Sequence, residues 1–219
     1  MRTTPLLVAG IGLMLLAGCG EPSTTRLRDS GDYARWQGRW VDAADDYAQV
    51  TRLHPGDWRA QYRLGQCMLA LGQPQQARAS LEIAETLRPR DSEIADLLAE
   101  AYLEDGDTDR LFSWLRQRAE RTQTTVAWMR LAEYAMELDD PDSAMLAADT
   151  AIALDEGRTV EPLLLHADLA VQLGDEKSAL DSLRSAWRIN PDDTRVNFAL
   201  RDLGQVPGPT MPGLAGATE

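Results

Sequence analysis

Apolar side chains recur along this chain at helical spacing. The clearest stretch is the last, where Val196, Ala199, Leu200 and Leu203 follow at i, i+3, i+4 and i+7 behind Asp192 and Asp193. Four apolar groups so spaced form one stripe of a helix, the aspartates are good N-caps and Gly204 is a stop, so a helix is predicted over 194–204. Upstream, helical apolar spacing is punctuated by turns at a fixed interval. Gly38, Gly72, Gly106 and Gly174 stand 34, 34 and twice 34 residues apart, with Asp140 filling the missing slot. Pro55, Pro89 and Pro191 keep the same period with Gly157 between, and Ala43, Ala77 and Ala179, then Ala84 and Ala186, stay in step. Against a background of about 7% Gly and 5% Pro, that register is not coincidence.

The predicted architecture is all-α, with about five helix-turn-helix copies over 24–57, 58–91, 92–125, 125–158 and 160–193. A capping helix closes the array, because a terminal repeat exposes its apolar face. Residues 205–219, with Pro207, Pro209, Pro212 and three glycines, are expected to be disordered.

Copy 2 shows why each position is filled as it is. Gly65 and Ala77 remove side chains where helix backbones meet, Leu64 and Leu81 fill the space between, Gly72 suits a left-handed exit and Pro89 stops the second helix. Copy 1 has Gly31, Gly38, Trp40, Ala43, Tyr47 and Pro55 in matching places. Copy 3 departs most, with Leu111, Arg118 and Gln123 where a small residue, an Ala and the Pro are expected. Its second helix should therefore be tilted or extended.

A 34-residue helix-turn-helix period with these glycines, alanines and prolines resembles the tetratricopeptide repeat, which implies a right-handed superhelical solenoid. In that family the first helices line a groove through positions two, five, nine, twelve and thirteen of each repeat. The resemblance thus assigns Arg28, Arg35, Trp36, Arg59, Tyr62 and Gln66 to the groove in copies 1 and 2. In copies 3 and 4 it assigns Glu93, Asp96, Glu100, Glu104, Glu133 and Glu137, with Met129 and Met136. A groove that is basic-aromatic at one end and acidic beyond would orient an extended or helical peptide, although an acidic stretch is equally an ordinary solvated face. Chaperone-binding members clamp a terminal carboxylate with Lys and Asn, and Asp32, Gln66, Asp96 and Glu100 stand there instead.

The amino terminus follows a different pattern. Arg2 precedes an apolar run over 5–16, and Leu16-Ala17-Gly18-Cys19 comes next. That is the order of an export signal, and the run is well short of the roughly 20 residues that span a bilayer. The ending resembles the bacterial lipobox, which implies removal of 1–18, acylation of Cys19 and a short 19–23 tether. An ordinary secretory signal with a chance Cys is the alternative. Gly20, where an Asp would retain such a protein at the inner membrane, points to the outer membrane.

Composition narrows function by exclusion. The formal net charge is −13, which opposes binding to nucleic acid and to anionic lipid headgroups, local basic patches aside. His54 and His166 have no metal-ligand spacing around them, Cys67 falls on a packing side, and no phosphate loop or hydrolase motif is found. No catalytic site, metal or cofactor is expected. The expected partners are proteins or peptides, together with a membrane through Cys19. The anchor and repeat resemble lipoproteins that assemble pili, secretion systems or outer-membrane barrels. An adaptor of periplasmic cell-wall enzymes is the alternative, and an enzyme with a novel site a third.

Overall fold

The computed structural model describes residues 23–208 and 211. The export signal, Cys19 and most of the tail lie outside them. All described elements are helices: α1 (Thr24–Trp36), α2 (Trp40–Leu53), α3 (Trp58–Ala70), α4 (Pro74–Leu87), α5 (Ser92–Glu104), α6 (Thr108–Thr122), α7 (Thr125–Glu137), α8 (Pro141–Asp155), α9 (Glu161–Gln172), α10 (Glu176–Ile189) and α11 (Thr194–Asp202). They pack as consecutive antiparallel pairs, each on the next. Local chemistry sets the boundaries. Ser23, Asp57, Asp91, Asp107, Thr124, Asp140, Asp175 and Asp193 each accept a backbone N–H of the first turn through a side-chain oxygen.

Gly38, Gly72, Gly106 and Gly174 turn the chain inside each pair at φ between 68° and 76°. The fourth pair differs from the sequence reading. Its left-handed residue is Asp139, at φ 59°, while Asp140 caps α8. The register has moved by one residue, and an Asp can tolerate this conformation.

Tight approach occurs where the glycines demand it. A Cβ on Gly65 would lie 2.5 Å from Leu81 Cγ, and one on Gly31 would lie 3.0 Å from the Tyr47 ring. Leu81 is fully buried, as are Ala77 and Ala84 on the same helix. Cys67 is enclosed on the other side of α3, among Ala34, Ala43, Ala44 and Tyr47, and its thiol is pushed up to about 11 by burial. A thiol reagent at pH 8 should therefore label Cys67 only after unfolding; rapid labelling of the folded chain would contradict this packing.

The third pair is the irregular one. α6 is extended to 15 residues and ends at Gln123 in the left-handed conformation, and it touches α5 over far less of its length than the other pairs share. Side chains also tie it to α4 and to the cap of α5. Arg118 Nε lies 3.9 Å from a Glu85 carboxylate oxygen, Arg121 also pairs with Glu85, and Arg118 Nη2 donates to the Asp91 carbonyl at 3.4 Å. The side chains of Glu85 and Arg118 are only 5% and 4% exposed. Arg118 occupies the position held by Ala84, Ala151 and Ala186 in other repeats, so its bulk excludes the regular close packing.

At the far end, Val196 and Leu200 of α11 are buried against the last pair. Gly204 exits the helix at φ 72°. The chain then returns, and Met211 is buried at 2% exposure against the same cluster, its N–H donating to the Gly208 carbonyl at 3.1 Å.

Candidate binding groove

Because helices alternate in direction, the odd-numbered ones run side by side and line one face, with a cleft near each end. The first cleft is lined by Arg35, Trp40, Gln66, Leu69, Leu97, Glu100 and Glu104. It gathers four residues assigned from sequence, Arg35, Gln66, Glu100 and Glu104, from α1, α3 and α5. Tyr62 joins them indirectly, since Gln66 Nε2 donates to Tyr62 Oη at 3.1 Å and Arg63 donates to Gln66 Oε1 at 2.8 Å. Burial raises the Tyr62 hydroxyl pKa, so it is a neutral hydrogen-bonding group.

Other assigned residues are already engaged. Arg28 pairs with Asp57 at 2.6 Å, across to the cap of α3. Asp96 and Glu133 share Arg130, at 2.6 and 2.8 Å, so this part of the groove is less acidic than the residues alone suggest. Trp36 is 79% exposed and stacks on Tyr33 at the end of α1. Arg59 lies over the Trp58 ring at 4.9 Å, with Arg88 over that ring at 4.8 Å. Glu93 is exposed at the start of α5, outside the first cleft.

The second cleft, about 680 Å³, lies between α7, α9 and α11 and is lined by Met129, Glu133, Leu164, Leu165, Asp168, Arg195 and Phe198, among others. Phe198 is 71% exposed, an apolar ring presented to solvent. Arg195 is held by Asp193 at 2.7 Å and Glu161 at 2.8 Å and Glu133 by Arg130, which leaves Asp168 as the acidic wall without a cationic partner. Burial alone raises the Asp168 carboxyl above its ordinary pKa, as expected of an acid without a cationic partner. Leu164 and Asp168 occupy positions five and nine of the fifth copy, so the same positional rule extends to them. The sequence pattern marks α11 as a cap and carries no signal for Phe198 as a groove residue.

Possible chemistry is sparse. His166 is buried, with Nδ1 2.8 Å from Ser182 Oγ and Nε2 3.4 Å from Asp149, the setting of a hydrogen-bonded core histidine. Among the described residues, no group of three or more His, Cys, Asp or Glu could hold a metal ion, and no helix is long and apolar enough to cross a membrane.

A family model for the tetratricopeptide repeat matches residues 36–101. No curated protein matches the chain. Among solved structures, MamA 41-end from Desulfovibrio magneticus RS-1 is similar at 15% identity and TM-score 0.56, over 78% of this chain and 97% of that one. A thermophilic TPR protein of Thermus thermophilus is similar at 20% identity and TM-score 0.51, over 83% and 98%. YrrB, described as a TPR protein with an unusual peptide-binding site, is similar at 14% identity and TM-score 0.54, over 82% and 98%. The chain is therefore folded as a tetratricopeptide-repeat solenoid, and its segment 36–101 matches the model of that repeat.

Proposed function

We propose that this protein is a scaffold that holds a segment of a partner protein along its odd-helix groove while attached to a cell-envelope membrane through acylated Cys19. The observation that carries the binding role is the second cleft. A solvent-exposed Phe198 beside Leu164 and Leu165, with the unpaired carboxylate of Asp168 on the wall, is an apolar anchor with a charge requirement, the arrangement that makes interfaces selective. It fits a partner segment with an apolar side chain next to a Lys or Arg. The fold supports the reading, since YrrB has a peptide-binding site on such a solenoid. The anchor rests on the Leu-Ala-Gly-Cys ending of the export signal. On this reading the protein sits on the periplasmic face of the outer membrane, where it assembles a multiprotein complex of the pilus, secretion or outer-membrane biogenesis kind.

The test is affinity capture from crosslinked, detergent-solubilised envelopes, with Phe198→Ala/Asp168→Asn alongside the parent. The partner should be recovered by the parent and lost, by roughly tenfold or more, with the variant, because truncating a central aromatic anchor is among the costliest interface changes. Identical capture by both proteins would reject the groove. Cys19→Ser should leave the detergent-partitioning fraction; unchanged partitioning would reject the anchor.

A further inference from the structure

Charge is separated from one long edge to the other across the first three repeats. The edge where odd helices begin and even helices end carries Arg26, Arg52, Arg59, Arg88 and Arg90, all exposed. Contacts place these ends together: Arg88 at the end of α4 stacks on Trp58 at the start of α3, and Arg28 near the start of α1 reaches the α3 cap. Among the described residues no ion pair engages any of the five; Arg59 and Arg88 lie over the Trp58 ring, which leaves their charge in place. The carboxylates on this stretch are few. Asp57 and Asp91 are occupied as helix caps, and Asp29, Glu93 and Glu120 are exposed. Over the same repeats the opposite edge exposes Asp42, Glu104 and Asp109, and its exposed Arg39 and Arg110 are paired with Asp42 and Asp107.

We propose that the basic edge of the first three repeats lies against an anionic phospholipid surface. Two observations select that occupant. Guanidinium groups pair with phosphate in a bidentate manner, and an edge row of them matches a plane of phosphodiesters. In addition, the chain enters the solenoid at Ser23, on this same edge, and the apolar run over 5–16 and Cys19 lie just before it in sequence. The net charge of −13 does not prevent this contact. The acidic edge is a helix length away, about 20 Å for 13 residues, whereas charge is screened over ~8 Å at physiological salt. The near edge alone meets the headgroups.

The experiment reads orientation in the full chain. A fluorophore is placed at Ser92→Cys on the basic edge or Gln73→Cys on the acidic one, both exposed and uncharged, and energy transfer is measured to a headgroup acceptor in vesicles of phosphatidylglycerol and phosphatidylcholine or of phosphatidylcholine alone. Transfer should be strong from Ser92 and weak from Gln73 on anionic vesicles, and the Ser92 signal should fall when salt is raised well above the physiological level. Arg52→Gln/Arg59→Gln/Arg90→Gln should weaken binding of the Cys19→Ser chain to anionic vesicles by roughly tenfold or more. Equal transfer from both edges, or a Ser92 signal indifferent to lipid charge and salt, overturns the proposal; an edge held by an acidic protein instead gives that result. The inference leans on the membrane attachment proposed above only for its tethered arm. Labelling of the parent chain would expose a free Cys19 and count against the anchor, while the Cys19→Ser pair still decides the edge.

Discussion

Glu85→Ala is expected to destabilise the protein by about 3–5 kcal/mol and to split its urea unfolding curve into two steps. The side chains of Glu85 and Arg118 are nearly fully buried, so removing the carboxylate strands a guanidinium charge inside the solenoid. Arg121, half exposed, cannot replace it, because it carries the same sign. The damage falls on α6, which has little contact with α5 and depends on this link to α4. Glu85→Ala/Arg118→Ala should recover most of the loss, since alanine stands at the Arg118 position in the second, fourth and fifth repeats. If the double variant is no more stable than Glu85→Ala, the pair is not the cause.

The same group predicts a pH slope. Burial holds the Glu85 carboxyl above its ordinary 4.5, despite the opposing pull of Arg121 and Arg118. A carboxyl with a raised folded-state pKa favours the folded state below 4.5 and disfavours it as pH rises through the folded value. Glu85→Ala should remove that part of the slope.

Gly65→Ala is expected to cost up to about 2 kcal/mol net, although alanine is the better helix former. Propensity favours the substitution by ~1 kcal/mol, but the added methyl would overlap Leu81 Cγ at 2.5 Å in a fully buried interface, and overpacking of that kind costs about 1–3 kcal/mol. Gly31→Ala should cost less, since its Cβ meets the Tyr47 ring at 3.0 Å and a ring can tilt. Thermal unfolding of the two variants distinguishes these cases. A stabilised Gly65→Ala would show that the helices separate easily and that the glycine is not there for packing.

Much of the fold was legible because the repeat writes its constraints into single residues. A left-handed turn needs Gly38, Gly72, Gly106 or Gly174, and a close helix crossing needs Gly65 opposite Leu81. Asp140 fills the 34-residue slot, but the fourth copy starts one residue early, at 125, and the turn keeps that early register at Asp139, which is not a glycine. The irregularity of α6 was visible as Leu111 and Arg118. Its partner Glu85 was not, being 33 residues away with nothing in the pattern to mark it. The groove shows the same division. Positions along the odd helices can be counted from the sequence, and Arg35, Gln66 and Glu100 do line one cleft. Which carboxylates remain unpaired depends on side-chain reach, as when Arg130 takes up both Asp96 and Glu133. Phe198 required knowing that α11 continues the odd-helix row.

The sparse contact between α5 and α6 also bears on mechanics. A solenoid bends like a rod whose stiffness at each joint is set by local packing, so its curvature should fluctuate most at the third repeat. The two clefts lie on either side of that joint. A partner long enough to occupy both would straighten or tighten the rod and damp its fluctuations, whereas one confined to a single cleft would leave them unchanged. The groove thus behaves as a caliper that responds to the length of what it holds as well as to its chemistry.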